Sequence, residues 1–262
     1  MQIDLEHRQL KDLLADLVQN GCTGIKLSTE DGGMSLEFID HVNNRIINGV
    51  VPLHVKVGGP DARNDIRKGL ELGATGLIGP MVESPFGVVK FVKAVQSVVG
   101  EEALNQVFLS VNLESLSAYE KIDEILATKE FSYISEIVIG TNDLALSVNK
   151  PTSDPLVLDM IEKMSVKTHE TGKIVRVGGL ISAFVSKPDV RERILGSGVV
   201  DEINTTAVAF GIKKIKDLKS AYLKAINFEY RLNEFWSLLC GKRLEPFQRK
   251  AATLKKTLEA NR

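Results

Sequence analysis

Two carboxylates occupy matching places in the chain. Glu114 closes the β-rich run VFLSVNL, and Asp143 comes just after the run EIVIG, in GTNDLALS. Mg²⁺ is a hard, octahedral cation that one or two carboxylates can hold while water and substrate oxygens complete its shell, so the pair is a candidate metal site. Each acid also has a plainer reading. Asp143 precedes LALS and could cap a helix, and Glu114 could pair with Lys56 or Lys26.

The elements that must position these acids read as helices alternating with short strands. CTGIKLS (22–28), VPLHVKV (51–57), TGLIG (75–79), VFLSVNL (107–113), EIVIG (136–140), KIVRV (173–177) and VVDEIN (199–204) have strand character. Leu10, Leu13, Leu14 and Leu17 recur at helical spacing before the stop signal Asn20-Gly21, and Ser84-Pro85 is a cap followed by a first-turn proline. Such alternation predicts an α/β fold with a parallel sheet. No G-x-G-x-x-G follows the first strand, so a (β/α)₈ TIM-type barrel is favoured over an open doubly wound sheet, with MQIDL as the candidate eighth strand. The barrel is expected over residues 1–212. Residues 213–262 read as two helices without a strand between them, predicting a C-terminal helical extension that packs on the barrel or on a neighbouring subunit.

Strand residues alternate faces. Placing Ile25, Leu27, Leu53, Val55, Val57, Leu109, Val111, Leu113, Val175 and Val177 outward, against the helices, leaves Lys26, Ser28, His54, Lys56, Ser110, Asn112, Glu114 and Arg176 inward. A barrel interior is normally filled by branched apolar residues, and an unpartnered buried ion costs several kcal/mol. Cations converging from different strands therefore point to a small anionic ligand, with or without a metal.

Bulk properties narrow the classes. With 262 residues the chain is close to the ~250 of one barrel, and 44% hydrophobic with 26% charged residues is an ordinary globular balance. A net charge of -1 offers no electrostatic case for nucleic acid or an anionic membrane as partner. Neither a signal peptide nor an apolar run of membrane-spanning length is visible, and two distant cysteines read as free thiols, so a cytoplasmic protein is expected.

Three segments, in this order, resemble the HpcH/HpaI aldolase and citrate lyase family: GATGLIGPMVESP (73–85), VNLESLSAYEKIDEIL (111–126) and EIVIGTNDLALS (136–147). GIKLSTEDGGMS (24–35) is similar to a divergent form of that family's first active-site loop, and the resemblance runs over about residues 10–205. It implies a barrel that uses a divalent metal, Mg²⁺ or Mn²⁺, on pyruvate or a related 2-oxo acid. By the same resemblance Glu114 and Asp143 hold the metal, Asn112 stands where the aldolases have a substrate-contacting Gln, and the backbone around Gly140, Thr141, Asn142 and Asp143 receives the substrate carboxylate. A homo-oligomer is the expected assembly.

Departures from the family pattern bear on catalysis. Lys56 replaces an Arg, keeping its charge but not its planar fork, and Glu30-Asp31 stands where the aldolases carry Glu-His. Arg176 is a candidate for the missing guanidinium and His54 for the missing imidazole. The leading expectation is a class II aldolase-like carbon–carbon lyase in which Lys56, Glu30, Asp31 and Arg176 serve catalysis. The alternatives are a citrate-lyase-like acyl lyase, a Schiff-base lyase using Lys56 or Lys26, and a non-catalytic metabolite-binding barrel.

Overall fold

A computed structural model describes residues 2–30, 32–240 and 245–261. Its sheet is a closed eight-stranded barrel in sequence order, β1 (Cys22–Ser28), β2 (Leu53–Lys56), β3 (Gly76–Gly79), β4 (Phe108–Leu113), β5 (Glu136–Gly140), β6 (Ile174–Gly178), β7 (Glu202–Asn204) and β8 (Val208–Gly211). The helices are α1 (Gln2–Gln19), α2 (Leu36–Val42), α3 (Arg63–Glu71), α4 (Pro85–Val99), α5 (Glu101–Leu104), α6 (Leu116–Glu120), α7 (Ile122–Leu126), α8 (Thr141–Ser147), α9 (Pro155–Glu170), α10 (Ile181–Ser186), α11 (Pro188–Leu195), α12 (Leu218–Cys240) and α13 (Glu245–Ala260).

Local chemistry sets several boundaries. Gly21 has φ +97°, a left-handed conformation that an L side chain rarely adopts, and there the chain turns from α1 into β1. Ser84 accepts a hydrogen bond from the Gly87 N–H, with Pro85 in the first turn of α4, the arrangement read from Ser84-Pro85. The residues assigned outward, from Ile25 through Val177, are all 0–1% exposed. Burial of each such side chain contributes roughly 1.5–3 kcal/mol, so the layer between strands and helices is the main stabilising core.

The eighth strand corrects the sequence expectation. MQIDL does not form it, because α1 begins at Gln2. The closing strand is Val208–Gly211, and it runs antiparallel to both β7 and β1. β7 and β8 thus form a hairpin around Thr205–Ala207, in which the Thr205 N–H donates to the Val208 carbonyl. β7 is also shorter than the run VVDEIN suggested, starting only at Glu202.

Beyond the barrel the C-terminal helices are present, and α12 packs along α1 and α10 while α13 folds against α12. Ala221, Ala225, Phe228, Leu232 and Phe235 form the buried stripe of α12. Phe38 of α2 meets Trp236 with ring centroids 3.9 Å apart. No described helix is long and apolar enough to cross a membrane.

The histidines His7 and His41 are half-buried. His7 Nε2 and His41 Nε2 lie 2.7 Å apart, joining α1 to α2 beside Phe235. Burial, more than neighbouring charge, lowers the pKa of both. Burial together with the charge of Arg176 pushes His54 down to about 3 from an ordinary 6.5. Below about 6.5 the unfolded chain binds protons that these folded histidines refuse, so stability falls as pH drops, down to about 3 for His54. In a His54→Leu variant the loss of stability between about pH 6.5 and 5 should be smaller than in the parent, as read by denaturant unfolding at each pH. An unchanged slope would show that His54 is not held neutral.

Candidate functional site

A cleft of about 250 Å³ opens at the C-terminal ends of the strands, where Lys26, Lys56, Asn112, Glu114, Gly140, Thr141, Asn142, Asp143, Gly178 and Asn204 all contribute. In parallel barrels this end carries the variable loops, while the strands hold their side chains rigidly.

Glu114 follows β4 and is 3% exposed. Its Oε1 accepts from the Met81 N–H at 3.1 Å, and its Oε2 accepts from Asn112 Nδ2 at 3.1 Å. Met81, after β3, has φ +50°, so a residue in an uncommon conformation aims its amide at this carboxylate. A Cβ at Gly140 would run into the Glu114 carboxylate, which is why the chain carries glycine there. Lys56 Nζ lies 2.9 Å from Glu30 Oε2 and 3.7 Å from Glu114 Oε1, placing one buried cation between two acids. The ion pair of Glu114 with Lys56 is thus present, alongside two other contacts.

Asp143 is exposed on the first turn of α8 and lines the cleft; the N-cap position of that helix is Gly140, so Asp143 is not its cap. Thr141 is buried and donates to the Gly178 carbonyl at 2.7 Å, tying β5 to β6. Asn142 is exposed at the rim. Asp31 lies outside the described residues. The Gly58 N–H after β2 donates to Asp65 Oδ2, whereas Gly178 and Gly179 at the end of β6 line the cleft.

Arg176 and His54 point inward as expected but do not line the cleft. The Arg176 guanidinium donates to Glu202 Oε2 through Nε at 3.0 Å and Nη2 at 2.6 Å, and Nη2 lies 2.8 Å from Glu136 Oε1. Ser110 donates to Glu136 Oε2 at 2.7 Å. Burial raises the Glu136 pKa against the pull of Arg176 and Ser110. His54 stacks on Phe108 with centroids 4.8 Å apart, under Gly76, where a Cβ would touch its ring. The chain's own carboxylates therefore answer Arg176, and the external anion inferred for it is not needed. Glu136 and Glu202 begin their strands, where alternation alone gave no reason to single them out.

Sequence reasoning also passed over Asn204, Thr205 and Glu229, which line the cleft from the β7–β8 hairpin and from α12. A strand hidden in AVAFG and a carboxylate in the middle of a helix leave no short-range signal.

The donor set suits a hard divalent cation. Glu114 and Asp143 can supply carboxylate oxygens, and Asn112 Oδ1 is buried without a hydrogen-bond partner among the described residues. No group of three His, Cys, Asp or Glu side chains is arranged for a metal among the described residues, so water and substrate oxygens would have to complete the shell.

Residues 50–155 match the family model described as HpcH/HpaI aldolase/citrate lyase. That stretch contains the three principal motifs of the resemblance; GIKLSTEDGGMS lies outside it. An HpcH/HpaI aldolase from Desulfitobacterium hafniense DCB-2 is similar in structure, with TM-score 0.59 and 19% identity over 74% of this chain and 81% of its own. An HpcH/HpaI aldolase/citrate lyase family protein from Burkholderia cenocepacia J2315 gives TM-score 0.55 and 16% identity over 74% and 91%. The citrate synthase SbnG gives 0.53 and 19% over 70% and 87%. At these identities the structures establish a shared fold, while the family match supports a function of the lyase type. No curated protein matches the sequence significantly.

Proposed function

We propose that the chain is a metal-dependent carbon–carbon lyase acting on pyruvate or a related 2-oxo acid. The observation that carries this reading is the arrival of Glu114, Asp143 and the unpartnered Asn112 Oδ1 at one cleft, within the stretch matched by the family model. A Mg²⁺ or Mn²⁺ ion held by Glu114 and Asp143 would supply Lewis-acid polarisation of the 2-oxo group.

The chain's own groups do the rest. Asn112 Nδ2 and the Met81 amide fix both oxygens of Glu114. Lys56 brings a positive charge to the cleft, where it can stabilise negative charge growing on the substrate oxygen. Its Nζ lies 2.9 Å from Glu30 and 3.7 Å from Glu114, a setting that favours a positive charge over the neutral amine that Schiff-base formation requires. The metal-dependent route is favoured over the Schiff-base route for that reason. Glu30, with its side chain 32% exposed, positions the Lys56 Nζ at 2.9 Å beside the cleft. The amides at the start of α8 are expected to receive the substrate carboxylate.

The test is turnover of 4-hydroxy-2-oxo acids, pyruvate with aldehydes, and acyl-CoA esters, each with and without Mg²⁺ or Mn²⁺. Cleavage of a 4-hydroxy-2-oxo acid that a chelator removes and either metal restores is the expected result. Turnover confined to acyl-CoA esters would move the reading to the citrate-lyase branch. Borohydride trapping of pyruvate on Lys56 or Lys26 would replace it with Schiff-base chemistry. Absence of metal-dependent turnover throughout would overturn it in favour of a metabolite-binding barrel.

A further inference from the structure

The hairpin side of the cleft carries two buried oxygens with unmet hydrogen-bonding capacity. Asn204, at the end of β7, is 5% exposed, and its Oδ1 has no partner among the described residues. The space beside that oxygen exists because Gly178 has no side chain: a Cβ there would stand 2.9 Å from it. Glu229, on α12, is 2% exposed; its Oε1 accepts from Thr205 Oγ1 at 2.6 Å and from the Ala207 N–H, while its Oε2 is buried with no hydrogen-bond partner among the described residues. Both residues line the cleft, and Thr205 links them, since Asn204 Nδ2 donates to the Thr205 carbonyl.

We propose that Asn204 and Glu229 form a specificity subsite for a neutral, hydroxyl-bearing carbon chain, the half of the substrate that enters or leaves as an aldehyde. This rests on the lyase reading above. The choice of ligand follows from the two atoms. Asn204 Oδ1 only accepts, so it calls for an O–H or N–H donor. A second carboxylate would face this acceptor and would be repelled by it. A cationic group would share the cleft with Lys26 and Lys56, both of which line it. A purely apolar chain would leave both oxygens unsatisfied, at about 1–3 kcal/mol each. A hydroxyl can donate to Asn204 and exchange either kind of hydrogen bond with the Glu229 carboxyl.

Burial pushes the Glu229 carboxyl above its ordinary range, opposed by Thr205, the Ala207 amide and the charges of Lys250 and Lys26. Its protonated form is a donor at Oε2, and glutamine can replace it in that role. Neither Asn204 nor Glu229 belongs to the acid pair, so the subsite governs which aldehyde is used rather than activation of the 2-oxo acid.

Glyceraldehyde and propionaldehyde have the same carbon chain and differ in hydroxyl groups. With pyruvate and Mn²⁺, the full chain should use glyceraldehyde with kcat/KM at least about tenfold higher, the value of one well-made hydrogen bond. Asn204→Ala and Glu229→Leu should each lose about tenfold more kcat/KM with glyceraldehyde than with propionaldehyde, mainly through KM. Glu229→Gln should retain most of the preference. Equal losses with both aldehydes would overturn the inference, leaving a packing role only. Deuterium exchange into the pyruvate methyl group, followed without any aldehyde, separates the two readings. Exchange without glyceraldehyde preference overturns the subsite alone; no metal-dependent exchange overturns the lyase reading and the subsite with it. Should Glu229→Leu fail to fold, Asn204→Ala and the difference infrared carbonyl band of a protonated Glu229, absent in Glu229→Gln, carry the test. A missing band, together with no glyceraldehyde preference, would overturn the proposal.

Discussion

Exchanging Arg176 for methionine is expected to destabilise the barrel by about 3–5 kcal/mol, a large fraction of the stability of an ordinary domain. The reason is the set of partners left behind. Glu136 is wholly buried, the Glu202 side chain is 17% exposed, and Arg176 is the cation that faces both. Removing it strands the Glu136 charge inside a closed sheet and leaves the partly exposed Glu202 without that partner, while Ser110 still donates to Glu136. The direction with pH follows from the same geometry. Glu136 already titrates above the usual carboxylate range because it is buried, and without Arg176 it would rise further. Protonation then relieves the unpaired charge, so the deficit should be largest near pH 8 and shrink toward pH 5. Adding Glu136→Gln should restore part of the loss, measured by denaturant unfolding of the single and double variants. A loss under about 1 kcal/mol that does not change with pH would mean the triad is not the buried anchor its geometry describes.

Glu114→Gln should have the largest effect on function with the least on folding. Glutamine keeps an oxygen for the Met81 amide, and Lys56 keeps Glu30 as its partner, so thermal unfolding should shift little. Metal affinity and turnover should fall much more. Substitution of groups that merely orient a metal's ligands costs about 10–100-fold, and loss of a ligand's charge should exceed that. Mn²⁺ titration calorimetry and kcat/KM for the substrate identified by the panel check the two quantities separately. Unaltered Mn²⁺ affinity would remove Glu114 from the metal site.

Much of the barrel was legible because a parallel strand writes its surroundings into alternate residues. Ile25, Leu27, Val111 and Val175 pack outward, and the polar residues between them face the interior as alternation required. Bridging contacts between distant segments were not legible. Alternation placed Arg176 inside but could not say that Glu136 and Glu202 stand on neighbouring strands in reach of it. His7 and His41 lie 34 positions apart in the chain, and only the packing of α1 against α2 brings their rings together. The closing strand was missed because Val208–Gly211 is short and follows β7 without a helix, breaking the rhythm used to find the others. In the cleft, Glu114, Asn112 and Asp143 came from motifs on single strands and loops. Glu229 required knowing where α12 lies.

The antiparallel β8 also bears on how such a protein can diversify. Six connections at this rim, those leaving β1 to β6, are strand-to-helix exits, whose lengths can drift without disturbing the sheet. The seventh is the turn Thr205–Ala207, held at both ends by Glu229. An insertion there would break the hairpin and uncover a buried carboxyl together. Variation along that wall is therefore confined to exchanging one side chain for another, while the opposite rim is free to change by length.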